Sequence, residues 1–290
     1  LTVCHTPAVP LRGVFRSVSS PGVPRLAIKA KAPTHSGQGE ITLRKSPPFA
    51  SVNMPFRTFK TISVGLILCF TFLGLEARDT HAQSGLKVGS VINLKNNYPG
   101  EGGYLDTRGR VADKAEFAIV PSETLFVSTH PNPNRDQGSG SWKIVSASGK
   151  GDGEALAYGD RIHLMNLYPG AGYLDNCGWI KDMPVYKGYA GAKFAVFTTQ
   201  SPNRDNGSGT WIVRSAGSKA DGSPVLAGDS IRLENGYPQG GFLDVNGRVT
   251  QNPAFKEYEG STLLVFLSES PNRFKNSGSW TITVSNAGMR

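Results

Sequence analysis

Three sets of residues recur along this chain at spacings that could support recognition chemistry. Asp106, Asp175 and Asp244 each lie 36 residues before a tryptophan: Trp142, Trp211 or Trp280. Asn134-Arg135, Asn203-Arg204 and Asn272-Arg273 sit eight and seven residues before the same tryptophans. Tyr98, Tyr168 and Tyr237 come earlier, each followed by proline and a glycine-rich turn. A carboxylate is a strong acceptor for hydroxyl donors. An arginine fork matches a carboxylate or a pair of hydroxyls. A tyrosine ring offers an apolar face with a hydroxyl at its edge. The arginines and tyrosines together predict hydrogen bonding and stacking to a sugar.

Each set also has a structural reading. Asp-Thr-Arg-Gly, Asp-Asn-Cys-Gly and Asp-Val-Asn-Gly put Asp first and Gly fourth, which suits a type I turn. The stretch SPNRDNGSG, 201–209, is made of turn formers, so Asn203 would cap its own loop and Arg204 would pair with a nearby acid. Each tyrosine would pack over the neighbouring repeat. Trp142, Trp211 and Trp280 read as core, and Trp179, unmatched in the other copies, as an exposed platform.

Catalytic chemistry finds little support. Beyond residue 82 the histidines are His130 and His163, in non-equivalent places. No HExxH, GxSxG, Cys/His pair or phosphate loop occurs. One aspartate per repeat spreads the carboxylates about a threefold axis, whereas glycoside hydrolysis needs two within about 5–10 Å. Asp136 and Asp205 give way to Phe274 in the third copy, which breaks any metal loop built on them. No catalytic residue, metal or cofactor is expected.

The elements that position these residues follow from the repeat. Trp142, Trp211 and Trp280 are 69 residues apart, as are Val127, Val196 and Val265. The one slip is an extra residue in PGEGGYLD, against PGAGYLD and PQGGFLD. Each repeat predicts four short strands. SVINL, RIHLM and SIRLE alternate polar and apolar, the period of a half-buried strand. GYLD, GYLD and GFLD come second; TLFVST, FAVFTT and LLVFLS third; SWKIVS, TWIVRS and SWTITV fourth. Gly, Pro, Asn and Asp fill the gaps. Three units are too few for a propeller. Twelve strands in three fours predict an all-β β-trefoil, with a β-prism as the alternative; both leave few open sheet edges.

The chain resembles β-trefoil lectins of the ricin B-chain type. There a Gln-x-Trp motif closes the last strand of each repeat; here GSW, GTW and GSW stand in that place, with Gly for Gln. GYLDTRGR and GFLDVNGR resemble the family's Asp after a short second strand, and YGDRIHL and AGDSIRL resemble repeat openings of the MIR trefoils. The ricin-type resemblance implies that Asp106, Asp175 and Asp244 accept hydrogen bonds from sugar hydroxyls. Repeats of 69 residues exceed those of such lectins and imply long loops.

Residues 1–53 read as a disordered or spurious leader, an over-extended reading frame being one origin. Residues 54–82 read as a signal peptide: Arg57 and Lys60 precede an apolar run of about fifteen residues, with small residues before Gln83. That run is short for a membrane span of about 20 residues. Residues 83–290 form the expected trefoil, with repeats at about 87–155, 156–224 and 225–290. The chain's +9 charge belongs mostly to its start: residues 1–82 hold ten basic and three acidic residues, against 21 and 19 beyond. The nearly neutral remainder argues against nucleic acid as a partner. Its one cysteine, Cys177, excludes an intrachain disulfide there. The expected function is an exported, non-catalytic, lectin-like protein, secreted from the cell or held in a periplasm, with up to three equivalent sites for glycans or glycoconjugates. The alternative is a secreted protein-interaction module that binds no sugar. Neither is an integral membrane protein once the signal is removed.

Overall fold

A computed structural model describes residues 84–288, apart from 112, 113, 118, 119, 122 and 259. The expected leader and export signal lie outside these residues. The first repeat supplies β1 (Val91–Asn96), β2 (Tyr104–Arg110), β3 (Leu125–His130) and β4 (Trp142–Ser146). The second supplies β5 (Arg161–Asn166), β6 (Tyr173–Trp179), β7 (Ala192–Thr199) and β8 (Trp211–Ser215). The third supplies β9 (Ser230–Asn235), β10 (Gly241–Arg248), β11 (Leu263–Ser268) and β12 (Trp280–Val284). All twelve predicted strands are present, and every pairing is antiparallel. Helix among the described residues is limited to six single-turn 3-10 segments. None is long and apolar enough to cross a membrane.

First and fourth strands alternate around a closed ring. β1 pairs with β4, β4 with β5, β5 with β8, β8 with β9, β9 with β12, and β12 returns to β1. Second and third strands form the hairpins β2–β3, β6–β7 and β10–β11. Their third strands also pair mutually, β3 with β7, β7 with β11 and β11 with β3. The alternation seen in sequence is thus the inward and outward faces of the ring. Leu94, Leu164 and Leu233 point inward, with Val127, Val196 and Val265 from the hairpins beneath them. Trp142, Trp211 and Trp280 are fully buried in this core. Each indole N–H donates to the carbonyl of Leu105, Leu174 or Leu243, at 2.9, 3.0 and 3.0 Å.

The long loops form a second core. β3, β7 and β11 are buried on both faces, which is why their sequences read as continuous apolar runs. One face carries the valines into the ring. The other carries Phe126, Ala195, Phe197, Leu264 and Phe266 toward the segments that join each hairpin. Those segments contribute Phe117, Tyr186 and Phe255, also 69 residues apart. The three rings meet one another at centroid distances of 6.2, 5.7 and 5.5 Å.

One local expectation is corrected. The Asp-x-x-Gly segments do not turn. β2, β6 and β10 run through them, and the register shifts between Arg108 and Arg110, Asn176 and Trp179, and Val245 and Arg248. The glycine is the bulge residue, with φ of +52°, +128° and +73° at Gly109, Gly178 and Gly247. Two of these glycines are also hemmed in: a Cβ would lie 2.8 Å from Tyr258 at Gly109 and 2.3 Å from Tyr189 at Gly247.

Candidate ligand-binding site

The repeated loop before each fourth strand folds back onto the second strand of its own repeat. Arg135 donates from Nη2 and Nε to Asp106 Oδ1, at 2.8 and 3.2 Å, and from Nη2 to the Thr107 carbonyl at 2.8 Å. Arg204 donates to Asp175 at 3.1 Å and to the Asn176 carbonyl at 2.8 Å. Arg273 donates to Asp244 at 3.0 Å and to the Val245 carbonyl at 2.9 Å. The loop can close this tightly on itself because Gly140, Gly209 and Gly278 have no side chain. A Cβ there would stand 2.3, 2.2 and 2.5 Å from the carbonyl oxygens of Pro133, Pro202 and Pro271.

This placement corrects the role expected of the aspartates. Asp106, Asp175 and Asp244 are at most 1% exposed, so none offers its carboxylate to a ligand at the surface. Burial pushes the Asp106 carboxyl above its ordinary value, although Arg135 and Ser139 pull it back. Burial works against the Arg204 charge, but Asp175 and its neighbours outweigh it and hold the guanidinium above its ordinary value. The asparagines serve their own loops. Asn203 Oδ1 accepts from Gly207 N at 2.7 Å, and Asn272 Oδ1 from Asn276 N at 2.9 Å. Asn134 is exposed, its backbone N–H bonded to Asn132 Oδ1.

A second set of asparagines, unmarked by the sequence reading, joins the repeats. Asn96, Asn166 and Asn235 are buried. Their side-chain amides donate to Ser277, Ser139 and Ser208 carbonyls of the preceding repeat, at 2.7, 2.8 and 2.7 Å. Each Oδ1 then accepts from the N–H of Tyr98, Tyr168 or Tyr237. The signal was present in sequence, since one asparagine stands two residues before every Tyr-Pro. These bonds set the half-buried tyrosines over the seams between repeats.

The three seams differ. Between the third and first repeats lies a cleft of about 300 Å³, lined by Tyr98, Glu101, Asn246, Arg248, Gln251, Arg273 and Phe274 among others. Phe274 is 49% exposed, and its ring lies 6.0 Å from that of Tyr98 at 32°. Lys275 Nζ stands 5.3 Å from the Phe274 centroid, at the edge of this site. Arg248 donates from Nε to Glu101 Oε2 at 2.8 Å and from Nη2 to Oε1. The hydrogen bond from Arg248 holds the Glu101 carboxyl below its ordinary value, and Glu101 raises Arg248 in return.

At the seam of the second and third repeats, Trp179 stands where Arg248 does here. It is half-buried rather than an open platform. Its ring lies 4.1 Å from Phe194, which meets Tyr237 at 5.8 Å. Lys181 and Lys193 stand 5.0 and 5.9 Å from the Trp179 ring. At the seam of the first and second repeats, Tyr168 is half-buried and Arg110 and Asp136 occupy the places of Arg248 and Phe274. The structure therefore brings Tyr98 and Arg273 of the predicted set into one cleft. It adds Glu101, Asn246, Arg248, Gln251 and Phe274. Glu101 is the extra residue of the first repeat, and Phe274 the departure from Asp in the third.

No protein-family model and no curated protein matches the chain. Solved structures do resemble it. A protein of unknown function from Caenorhabditis elegans is similar at TM-score 0.50 and 17% identity, over 70% of this chain and 98% of that one. An SDF2-like protein from Arabidopsis thaliana gives TM-score 0.49 and 14% identity, over 69% and 95%. The S. cerevisiae protein O-mannosyltransferase Pmt1-Pmt2 complex bound to the sugar donor gives 0.47 and 17%, over 71% of this chain and 26% of that one. At 17% identity the likeness to the Caenorhabditis elegans protein speaks to the fold alone.

Proposed function

We propose that the chain is a secreted, non-catalytic β-trefoil protein that binds carbohydrate in the cleft between Tyr98 and Phe274. The trefoil assignment rests on the closed six-strand ring with three mutually paired hairpins. The export assignment rests on the basic-then-apolar segment at 54–82. The carbohydrate assignment rests mainly on one observation: an exposed phenylalanine beside a tyrosine, in a cleft that also holds a carboxylate, two guanidinium groups and two amides. Sugars combine apolar C–H faces with hydroxyls, and this lining matches both halves of that chemistry. A millimolar contact of this kind is worth about −4 kcal/mol.

The test is glycan-array binding by the purified protein beside Phe274→Asp. Asp already occupies this position in the other two repeats, so the variant keeps a residue the loop tolerates. Binding that falls at least tenfold in a variant with unchanged thermal unfolding supports the reading. Binding unaffected by Phe274→Asp moves the site elsewhere. A folded protein that binds no glycan turns attention to the second reading, a protein-interaction module. That reading draws on the shallow depression over 180–192, lined by Met183, Tyr186 and Tyr189.

A further inference from the structure

We propose that the ligand is a linear, neutral oligosaccharide laid across two adjoining clefts, with the Glu101–Arg248 pair at their junction. This rests on the carbohydrate reading above. The cleft holding Tyr98 and Phe274 does not end at the ion pair. A second cleft of about 340 Å³ shares the pair with it, since both are lined by Glu101 and Arg248. Each volume is near the lower end for small-molecule sites, and a ligand reaching both gains contact on two sides.

The two clefts differ in chemistry. The first carries the aromatic faces. The second is lined by Gly100, Gly102 and Gly103, by Pro131, and by Thr250, Ser261 and Thr262. It has no ring on which a sugar could stack. What it offers is close approach to backbone and to the exposed Thr250, while the Ser261 and Thr262 hydroxyls already bond Ser128 Oγ and the Thr129 carbonyl and keep only their remaining capacity. One sugar unit would stack in the first cleft, and the next would be held by hydrogen bonds in the second.

The junction suits this arrangement. Arg248 commits its Nε hydrogen and one from Nη2 to Glu101, and a guanidinium has five. Glu101 uses one lone pair of each oxygen in these bonds. The pair therefore keeps donors and acceptors for hydroxyls of a chain crossing it. The pair is also self-compensated, and the third charged residue of the lining, Arg273, is bound to Asp244. A neutral ligand leaves these partners together, whereas a charged one competes with them. The position of Glu101 is particular to this seam, because it is the residue inserted in PGEGGYLD.

Calorimetry tests the proposal with three neutral series from one to five units: β-1,4-glucose, β-1,3-glucose and β-1,4-mannose. Thr250→Trp fills the second cleft from an exposed position that does not line the first. Affinity for at least one series should rise tenfold or more between one and three units and then level off. Thr250→Trp should flatten that rise and leave binding of the single unit in place, while Phe274→Asp weakens every length. Equal affinity at all lengths, or a length dependence untouched by Thr250→Trp, overturns the two-cleft proposal and leaves the carbohydrate reading intact. Tighter binding of oligogalacturonates that weakens with salt overturns neutrality. A blank glycan array together with blank calorimetry overturns both readings.

Discussion

Replacing Arg135 with alanine isolates the energetics of the repeated loop, because its partner has little other support. Asp106 is 1% exposed, and its carboxylate is held by two hydrogen bonds from Arg135 and one from Ser139 Oγ at 2.7 Å. Removing one member of a buried pair costs about 3–5 kcal/mol, because the other charge stays buried. The carboxyl has an escape, since it can take up a proton instead of remaining charged. The loss should thus sit near the lower end, about 3 kcal/mol at pH 7. A domain of 150–250 residues shifts by about 2–4 °C per kcal/mol, which gives a fall in Tm of about 6–12 °C. The pH dependence carries a sign. Burial holds the Asp106 carboxyl above its ordinary value in the folded protein. Ionisation of this group therefore opposes folding, and its stabilising protonated form is lost as pH rises through the raised value. Without Arg135 the value rises further, so the deficit of Arg135→Ala should be larger at pH 7 than at pH 4. Urea unfolding at both pH values measures it. A deficit under about 1 kcal/mol at pH 7, or one independent of pH, would refute a buried clamp. So would Asp106→Asn that abolishes glycan binding at unchanged stability, since the carboxylate would then be a ligand group.

Two further outcomes follow from the packing. Phe255→Ala opens the centre of the second core, where Phe255 meets Phe117, Phe126 and Tyr186; urea unfolding should show a loss of about 3–5 kcal/mol. Cys177 is buried, and burial followed by the Asp175 charge pushes its thiol well above the ordinary value. A thiol reagent at pH 8 should leave the native protein unlabelled and react once denaturant unfolds it.

The ring was legible because five of its six strands bury one face only, β1 alone also burying Asn93 from the other face. SVINL and SWKIVS alternate, and the tryptophans mark the period, so strand positions follow from local pattern. The second core was not legible, although Phe117, Tyr186 and Phe255 keep the same 69-residue spacing. They lie in connecting segments without periodicity, and only the doubly buried β3, β7 and β11 reveal that another layer must cover them. Asp106, Asp175 and Asp244 were identified by position and misjudged in role. Their burial depends on arginines 29 residues away, a contact that local composition does not encode. The Asp-x-x-Gly segments failed as turns for a related reason. Asp and Gly suit a turn and a bulge alike, and pairing with the next strand decides between them.

Within one chain, repetition separates residues that hold the fold from those free to differ. The Asp–Arg clamp, the asparagine bridge and the indole hydrogen bond recur in all three repeats with nearly the same distances. Each gives a buried polar group a partner, which is reason enough for its presence in every copy, although Asp175 Oδ1 and Asp244 Oδ1 stay unpaired. The lining of the open cleft follows the opposite rule. Glu101 is an insertion, Phe274 replaces Asp, and Arg248 stands where another seam has Trp179 filling the space. A half-exposed phenylalanine gains little by burial, so packing alone does not account for Phe274. Exchanging these residues for their counterparts from other repeats should therefore change binding far more than stability. Phe274→Asp and removal of Glu101 apply that exchange at two points of one cleft, and equal Tm with lost binding is the expected result of both.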